Sequence, residues 1–149
     1  MIIRPLEVDD IPLVAGWVVT IPLWQRYHTT VDSLSAKLAA ALDTDLILTA
    51  DADDRAVGLA WCVSKGAFAR SAYLKLLGVR PDQAGKGIGA RLLDQLEAAV
   101  EGQDMFLLAS DFNASAQRFY ERQGYVQIGA IPGYVLPDVT ELIFRKRLR

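Results

Sequence analysis

Between residues 83 and 89 the chain reads Gln83-Ala84-Gly85-Lys86-Gly87-Ile88-Gly89, three glycines around one lysine. A turn of this kind, placed where a helix opens, is suited to holding an anion. The first amides of a helix have no internal partner and point outward, and the helix dipole adds positive potential there. Glycines remove the Cβ atoms that would keep a phosphate away from those amides. Lys86 adds a mobile positive charge. Further along, Asn113 and Tyr120 fall on a second amphipathic stretch, and Tyr120 brings a phenolic proton next to Phe119.

Three motifs compete for the glycine-rich turn. A Walker A loop needs a glycine five residues before the Gly-Lys pair and a Ser or Thr after the lysine. Arg80 and Gly87 occupy those places, so that motif fails. A dinucleotide fingerprint of the form G-x-G-x-x-A is present at Gly85, Gly87 and Ala90. It sits badly, because Arg80–Gln83 with Pro81 intervene after the strand and antiparallel strands precede it. A plain helix start, with glycines for close packing, remains the third reading of the string taken alone.

The elements that must position these residues follow from periodicity. A strand is expected over 2–7, then a helix over 11–18 entered through Asp9 and Asp10. Residues 20–30 mix Pro22, Trp24, Tyr27 and His28 without a clear period. Asp32 or Ser33 is expected to cap a second helix bearing Leu34, Leu38 and Leu42 on one face. Apolar runs over 45–50, 56–64 and 73–79 read as an antiparallel meander joined by polar turns. Ile88, Leu92, Leu93, Leu96 and Val100 mark one face of a third helix. A short apolar strand over 105–109 follows, then a helix capped by Asn113 and stopped at Gly124, and strands over 125–131 and 140–146. The expected architecture is one α/β domain, 1–149.

Composition excludes several classes. With 149 residues, 52% hydrophobic and 23% charged, the chain is sized for one core and is too apolar to be disordered. A net charge of -2 without a basic stripe gives a nucleic-acid partner no support. Cys62 is the one cysteine and His28 the one histidine, so neither an intrachain disulfide nor a Cys/His metal site is available. No stretch reaches the ~20 apolar residues that span a bilayer, and no signal-peptide pattern opens the chain. No membrane partner and a cytoplasmic location are expected.

The run Leu77-Gly78-Val79-Arg80-Pro81-Asp82-Gln83-Ala84-Gly85-Lys86-Gly87-Ile88-Gly89-Ala90-Arg91-Leu92-Leu93 resembles the acetyl-CoA motif of the GNAT superfamily of N-acetyltransferases. The later run from Ser110 to Tyr125, with Asn113, Phe119 and Tyr120, is similar to that family's second signature, and the element order matches over essentially the whole chain. The resemblance implies a mixed, mainly antiparallel sheet of about seven strands flanked by four helices and splayed between strands four and five. It implies acetyl-CoA as acyl donor, its pantetheine arm pairing with Leu77, Gly78 and Val79. Its pyrophosphate would lie on the amides of Ala84, Gly85, Lys86, Gly87, Ile88, Gly89 and Ala90. Asn113 would touch the cofactor as well as cap its helix. The family pattern usually has Gln or Arg where this chain has Ala84, so one side-chain contact is missing.

Acetyl transfer to an amine needs a neutral amine, a polarised thioester carbonyl and a proton for the leaving thiolate. An alkyl ammonium titrates near ~10 and a thiol near ~8.5, so one must lose a proton and the other gains from receiving one. The resemblance assigns that donation to Tyr120 and the carbonyl contact to an amide near Val79. Many relatives carry a glutamate where this chain has Tyr73, leaving the general base open between Asp111 and a water chain. Trp24, Tyr27, His28 and Tyr134 occupy positions that line the acceptor pocket in relatives. The acceptor is then a small-molecule or peptide amine, and a homodimer through the C-terminal strands is compatible. The other reading is a catalytically silent acyl-CoA sensor.

Overall fold

Strand β2 (Leu46–Ala52) turns into β3 (Arg55–Ala67) through Asp53 and Asp54, which sit at φ 53° and 61° with Ala52 directly opposite Arg55. Two successive left-handed residues make the two-residue hairpin loop whose twist matches its strands, and aspartate tolerates that region better than most. A computed structural model describes residues 1–149 and places seven strands in one sheet, ordered β1-β2-β3-β4-β5-β7-β6. The other strands are β1 (Ile2–Pro5), β4 (Ser71–Val79), β5 (Asp104–Ser110), β6 (Val126–Pro132) and β7 (Thr140–Arg147). The helices are α1 (Ile11–Val18), α2 (Pro22–Arg26), α3 (Val31–Ala41), α4 (Ile88–Ala99) and α5 (Ala114–Arg122). This is the expected mixed α/β sheet with its four longer helices. No helix is long and apolar enough to cross a membrane.

Three local details differ from expectation. The aperiodic stretch holds α2, which begins at Pro22, where a fixed φ and a missing N–H cost nothing in the first turn. Thr30, not Asp32 or Ser33, caps α3, and Ser33 donates its backbone N–H to the Thr30 hydroxyl at 3.1 Å. The turn between β3 and β4 is shorter and less polar than expected. It runs through exposed Phe68, Ala69 and Arg70, with Phe68 and Ala69 at positive φ and Arg70 N–H donating to the Ala67 carbonyl.

The chain gathers into two compact units, Met1–Cys62 with Leu76–Ala99 and Val63–Lys75 with Val100–Arg149. In the first, α1 and α3 bury Val14, Val18 and Leu38 with Leu59, Trp61 and Leu76 from the strands. Burying each such aliphatic side chain contributes roughly 1.5–3 kcal/mol. Polar groups inside that unit are matched: Trp17 Nε1–H donates to the Ala56 carbonyl at 3.0 Å, and the Thr49 hydroxyl to the Gly58 carbonyl at 2.7 Å. Arg4 forks between Asp10 and Asp51, tying β1 to β2. The second unit is built on β5, whose seven residues pair antiparallel with β7 from Asp104↔Arg147 to Ser110↔Glu141. Met105, Leu107, Tyr125 and Phe144 are its largest fully buried side chains. Here β4 runs parallel to β5, and their ladder covers only Ala72–Leu74 against Met105–Leu107.

Candidate functional site

Within the first unit, the end of β4 leads through a single 3-10 turn, Pro81–Gln83, into α4. Arg80 anchors the exit, its N–H donating to the Val57 carbonyl of β3 at 2.7 Å, while its guanidinium grips Asp82 at 2.6 Å. The Gln83 and Ala84 amides close back on Arg80 and Pro81. The chain then needs two left-handed residues, Gly85 at φ 78° and Gly87 at φ 80°. A Cβ at either would meet nothing within 4 Å, so the requirement there is set by backbone conformation and not by crowding. Helical bonding begins with Arg91 N–H to the Gly87 carbonyl, so the amides of Ile88, Gly89 and Ala90 form the open first turn. Lys86 is exposed and donates to Gln83 Oε1 at 3.1 Å.

What holds α4 at this angle is its apolar face. Ile88, Leu92, Leu93 and Leu96 are buried, and Gly58 of β3 lies beneath them. A Cβ there would stand 2.7 Å from Leu92 Cδ1 and 3.1 Å from Ile88 Cγ2. Gly58 therefore lets the helix start come down onto the sheet, a role the sequence does not advertise because an apolar strand with one glycine has several explanations. Leu77, Gly78 and Val79, all half-buried, form the last turn of pleat before this loop.

In the second unit, Asn113 caps α5. Its Oδ1 accepts from Ala116 N–H at 3.2 Å and from the Ser115 hydroxyl, which directs the side-chain NH2 outward. Gln117 donates to the carbonyls of Ser110 and Asp111, fixing the helix to the end of β5. One turn later Tyr120 stands edge-on to Phe119 and to Tyr125, with centroids 5.2 and 5.7 Å away. Although Tyr120 keeps some accessible surface, the protein packed around its phenol holds the hydroxyl well above its ordinary value, and Tyr73 pushes the same way. The group is therefore protonated throughout the neutral range. Tyr73 is also raised, first by burial, then by the charges of Glu141 and Tyr134.

Asp111, a candidate base from sequence, is engaged in holding the backbone. Its carboxylate accepts from Thr140 N–H at 3.3 Å while its own N–H donates to the Thr140 carbonyl. The carboxylate that sequence reading overlooked is Glu141, the one charged residue of the chain that is buried, at 5% exposure. Trp24 and Tyr27 belong to the first unit and meet at 6.4 Å, Trp24 packing on the core, and exposed His28 ends α2 at φ 60°. Tyr134 is 61% exposed in the turn between β6 and β7.

Comparison with known proteins bears on the family and the fold. Residues 43–127 match the family model for the acetyltransferase (GNAT) domain, a stretch that includes β2–β5, the glycine-rich loop, α4, Asn113 and Tyr120. Among solved structures, an aminoglycoside 6'-N-acetyltransferase complexed with coenzyme A is 18% identical, with a TM-score of 0.79 over 100% of this chain and 98% of that one. A ribosomal-protein-alanine N-acetyltransferase from Brucella melitensis is 18% identical, with a TM-score of 0.80 over 99% of each chain. An N-acetyltransferase from Staphylococcus aureus Mu50 is 15% identical, with a TM-score of 0.82 over 98% of this chain and 100% of that one. At these identities the likeness is one of fold.

Proposed function

Because the chain belongs to the GNAT acetyltransferase family, we propose that it moves an acetyl group from acetyl-CoA directly to a primary amine of a small molecule or peptide. The observation that carries this reading is the loop 84–90. Two glycines at positive φ open a helix whose free amides form an anion cradle, and the buried face of that helix keeps the cradle in place. Those amides take the pyrophosphate, and Lys86 adds charge from the surface. Leu77–Val79 supply backbone groups for the pantetheine arm, and the amide of Val79 polarises the thioester carbonyl. The NH2 of Asn113 gives a further polar contact.

Tyr120 serves the leaving sulfur. A thiol titrates near ~8.5, below even an unperturbed phenol near ~10, so complete proton transfer from Tyr120 to the thiolate runs uphill. The phenol therefore acts first as a hydrogen-bond donor that stabilises charge as it develops on sulfur. Transfer completes when the proton lost by the attacking nitrogen replaces the one the phenol gives up. Its pKa is raised by burial, so the phenol carries its proton at neutral pH.

The acceptor is left open between the two classes, because the same fold serves an aminoglycoside enzyme and a ribosomal-protein-alanine enzyme. A homodimer through β6 belongs to the same proposal, as β6 closes one edge of the sheet and exposes Val126 and Ile128. The test is free-thiol release from acetyl-CoA in the presence of a panel of primary amines. Amine-dependent release is expected. Binding of acetyl-CoA with no release for every amine would make the protein an acyl-CoA sensor instead.

A further inference from the structure

The turn between β3 and β4 holds an aromatic ring where asparagine or glycine would sit more easily. Phe68 and Ala69 stand at φ 58° and 52°, a region that is costly for most residues with a Cβ. Phe68 is nevertheless 79% exposed, and it meets Phe106 of β5 edge-on with ring centroids 5.4 Å apart. One edge-on pair returns less than two left-handed residues cost, so folding alone does not account for a phenylalanine at this tip.

Phe106 opens a strip on the second unit. Side chains alternate across a strand and lateral partners share a face. Phe106 and Leu108 of β5 therefore lie on one face with Ile143 of β7, Val126 of β6 and Tyr73 of β4. The other face carries the fully buried Met105, Leu107 and Phe144, and α5 belongs to it. There Lys146, lateral partner of Met105, lies 5.7 Å from the centroid of the Tyr125 ring, which packs on Tyr120 of α5. The strip itself is half-buried along its middle and exposed at Phe68 and Val126. At ~3.3 Å per residue and ~4.8 Å per strand, it runs about 13 Å along β5 from Phe106 to Ser110 and about 14 Å across from β4 to β6. Tyr73 ties it to the chemistry, because it lies within electrostatic reach of Tyr120. The ladder between β4 and β5 ends one pair beyond Tyr73, at Leu74 against Leu107.

We propose that this strip, with Phe68 at its end, is the subsite that selects the acceptor, and that it takes the amino-terminal segment of an apolar peptide. This rests on the acetyl-transfer reading above and decides between the two acceptor classes left open there. The side chains that follow the acetylated residue lie on Phe68, Phe106, Leu108 and Ile143. An extended chain covers ~3.3 Å per residue, so the strip takes three to four of them. Charge separates the two classes. The same face carries Lys75, Arg145 and Arg147 against Asp104 and Glu141, and Asp104 is held by Arg145 at 2.8 Å. A polycationic sugar finds no excess of negative charge there, whereas a peptide with one ammonium group and apolar side chains matches both the charge and the surface.

The experiment measures wild type and Phe68→Asn with alanyl-phenylalanyl-leucinamide, alanyl-seryl-serinamide and the aminoglycoside kanamycin as acceptors. Wild type should show a kcat/KM for the apolar peptide at least about tenfold above that for the polar one, the usual worth of a small apolar contact in a specificity site, with kanamycin lowest. Asparagine tolerates the left-handed turn, so Phe68→Asn should keep or raise Tm while removing the ring. Its KM for the apolar peptide should rise about fivefold to tenfold, with the KM values for the polar peptide and acetyl-CoA within about twofold of wild type. A wild type that treats the two peptides alike, prefers kanamycin, or acetylates other amines and neither peptide overturns this inference and leaves acetyl transfer standing. An unchanged preference in Phe68→Asn overturns it too. Equal losses for both peptides together with a lower Tm would make Phe68 a structural residue and sink the subsite. A wild type that binds acetyl-CoA and acetylates no amine at all removes the acetyl-transfer reading, and this inference with it.

Discussion

Tyr120 meets Tyr125 edge-on, with ring centroids 5.7 Å apart and planes at 71°, and the Tyr125 N–H donates back to the Tyr120 carbonyl at 2.9 Å. The ring is thus held by contacts that do not involve its hydroxyl. Tyr120→Phe should keep those contacts and the fold, while removing the proton donor. Turnover is expected to fall about 10²-fold, the lower range for positioned acid–base groups, with the acetyl-CoA KM nearly unchanged. Steady-state kinetics decide the matter, and an unaltered kcat would remove Tyr120 from the chemistry.

Gly87 offers a different kind of test. Its φ of 80° is open to glycine and strained for alanine, although a Cβ there would touch nothing. Gly87→Ala should therefore cost roughly 1–2 kcal/mol through the backbone alone. Because that strain is relieved by turning the loop amides, acetyl-CoA affinity should drop by more than Tm does. Calorimetric titration with acetyl-CoA, set beside a melting curve, separates the two effects. Parent-like affinity would show that the cradle does not depend on this conformation.

Why these glycines were legible and Glu141 was not has a physical answer. A left-handed backbone writes itself into residue type, since glycine is almost the only free choice, and Gly85 and Gly87 stand within a recognisable string. The long helices were legible for a similar reason: Leu92, Leu93 and Leu96 repeat with the helical period and are buried as a group. Helix α2 has five residues, too few to show a period, so it hid among aromatic side chains. Thr30 was missed because four residues able to cap, Thr29, Thr30, Asp32 and Ser33, crowd the start of α3. Glu141 lies in a strand of mixed charges, Thr140–Arg147, where alternation suggests that any charged residue faces water. Its burial is set by what covers that face of β7, which no local pattern encodes.

Gly58 shows how a single missing methyl group sets the position of α4. An added Cβ would stand 2.7 Å from Leu92 Cδ1, and Leu92 is completely buried, so its side chain has little room to retreat. Gly58→Ala is expected to destabilise the protein by about 1–3 kcal/mol, as overpacking of a tight core does. Ile88 is touched at the same place and begins the helix, so acetyl-CoA affinity should weaken in parallel. Denaturant unfolding with and without acetyl-CoA checks both. A variant as stable as the parent would mean that α4 can shift freely on the sheet.

The raised phenols predict how the protein responds to alkali. Desolvation, the main cause at both Tyr120 and Tyr73, disfavours the charged phenolate in the folded chain and leaves the unfolded chain near its ordinary value of about 10. The sign follows. Below about pH 10 both states hold the proton and the shift has no effect on stability, whereas above it the unfolded state releases the proton first. Folding stability should therefore decline as pH rises beyond about 10, most steeply through Tyr120, whose shift is the larger. Tyr120→Phe cannot ionise there, so its melting temperature should fall less than that of wild type between about pH 9.5 and pH 11. Parallel melting curves across that interval would refute the assignment of a protonated, desolvated phenol at this position.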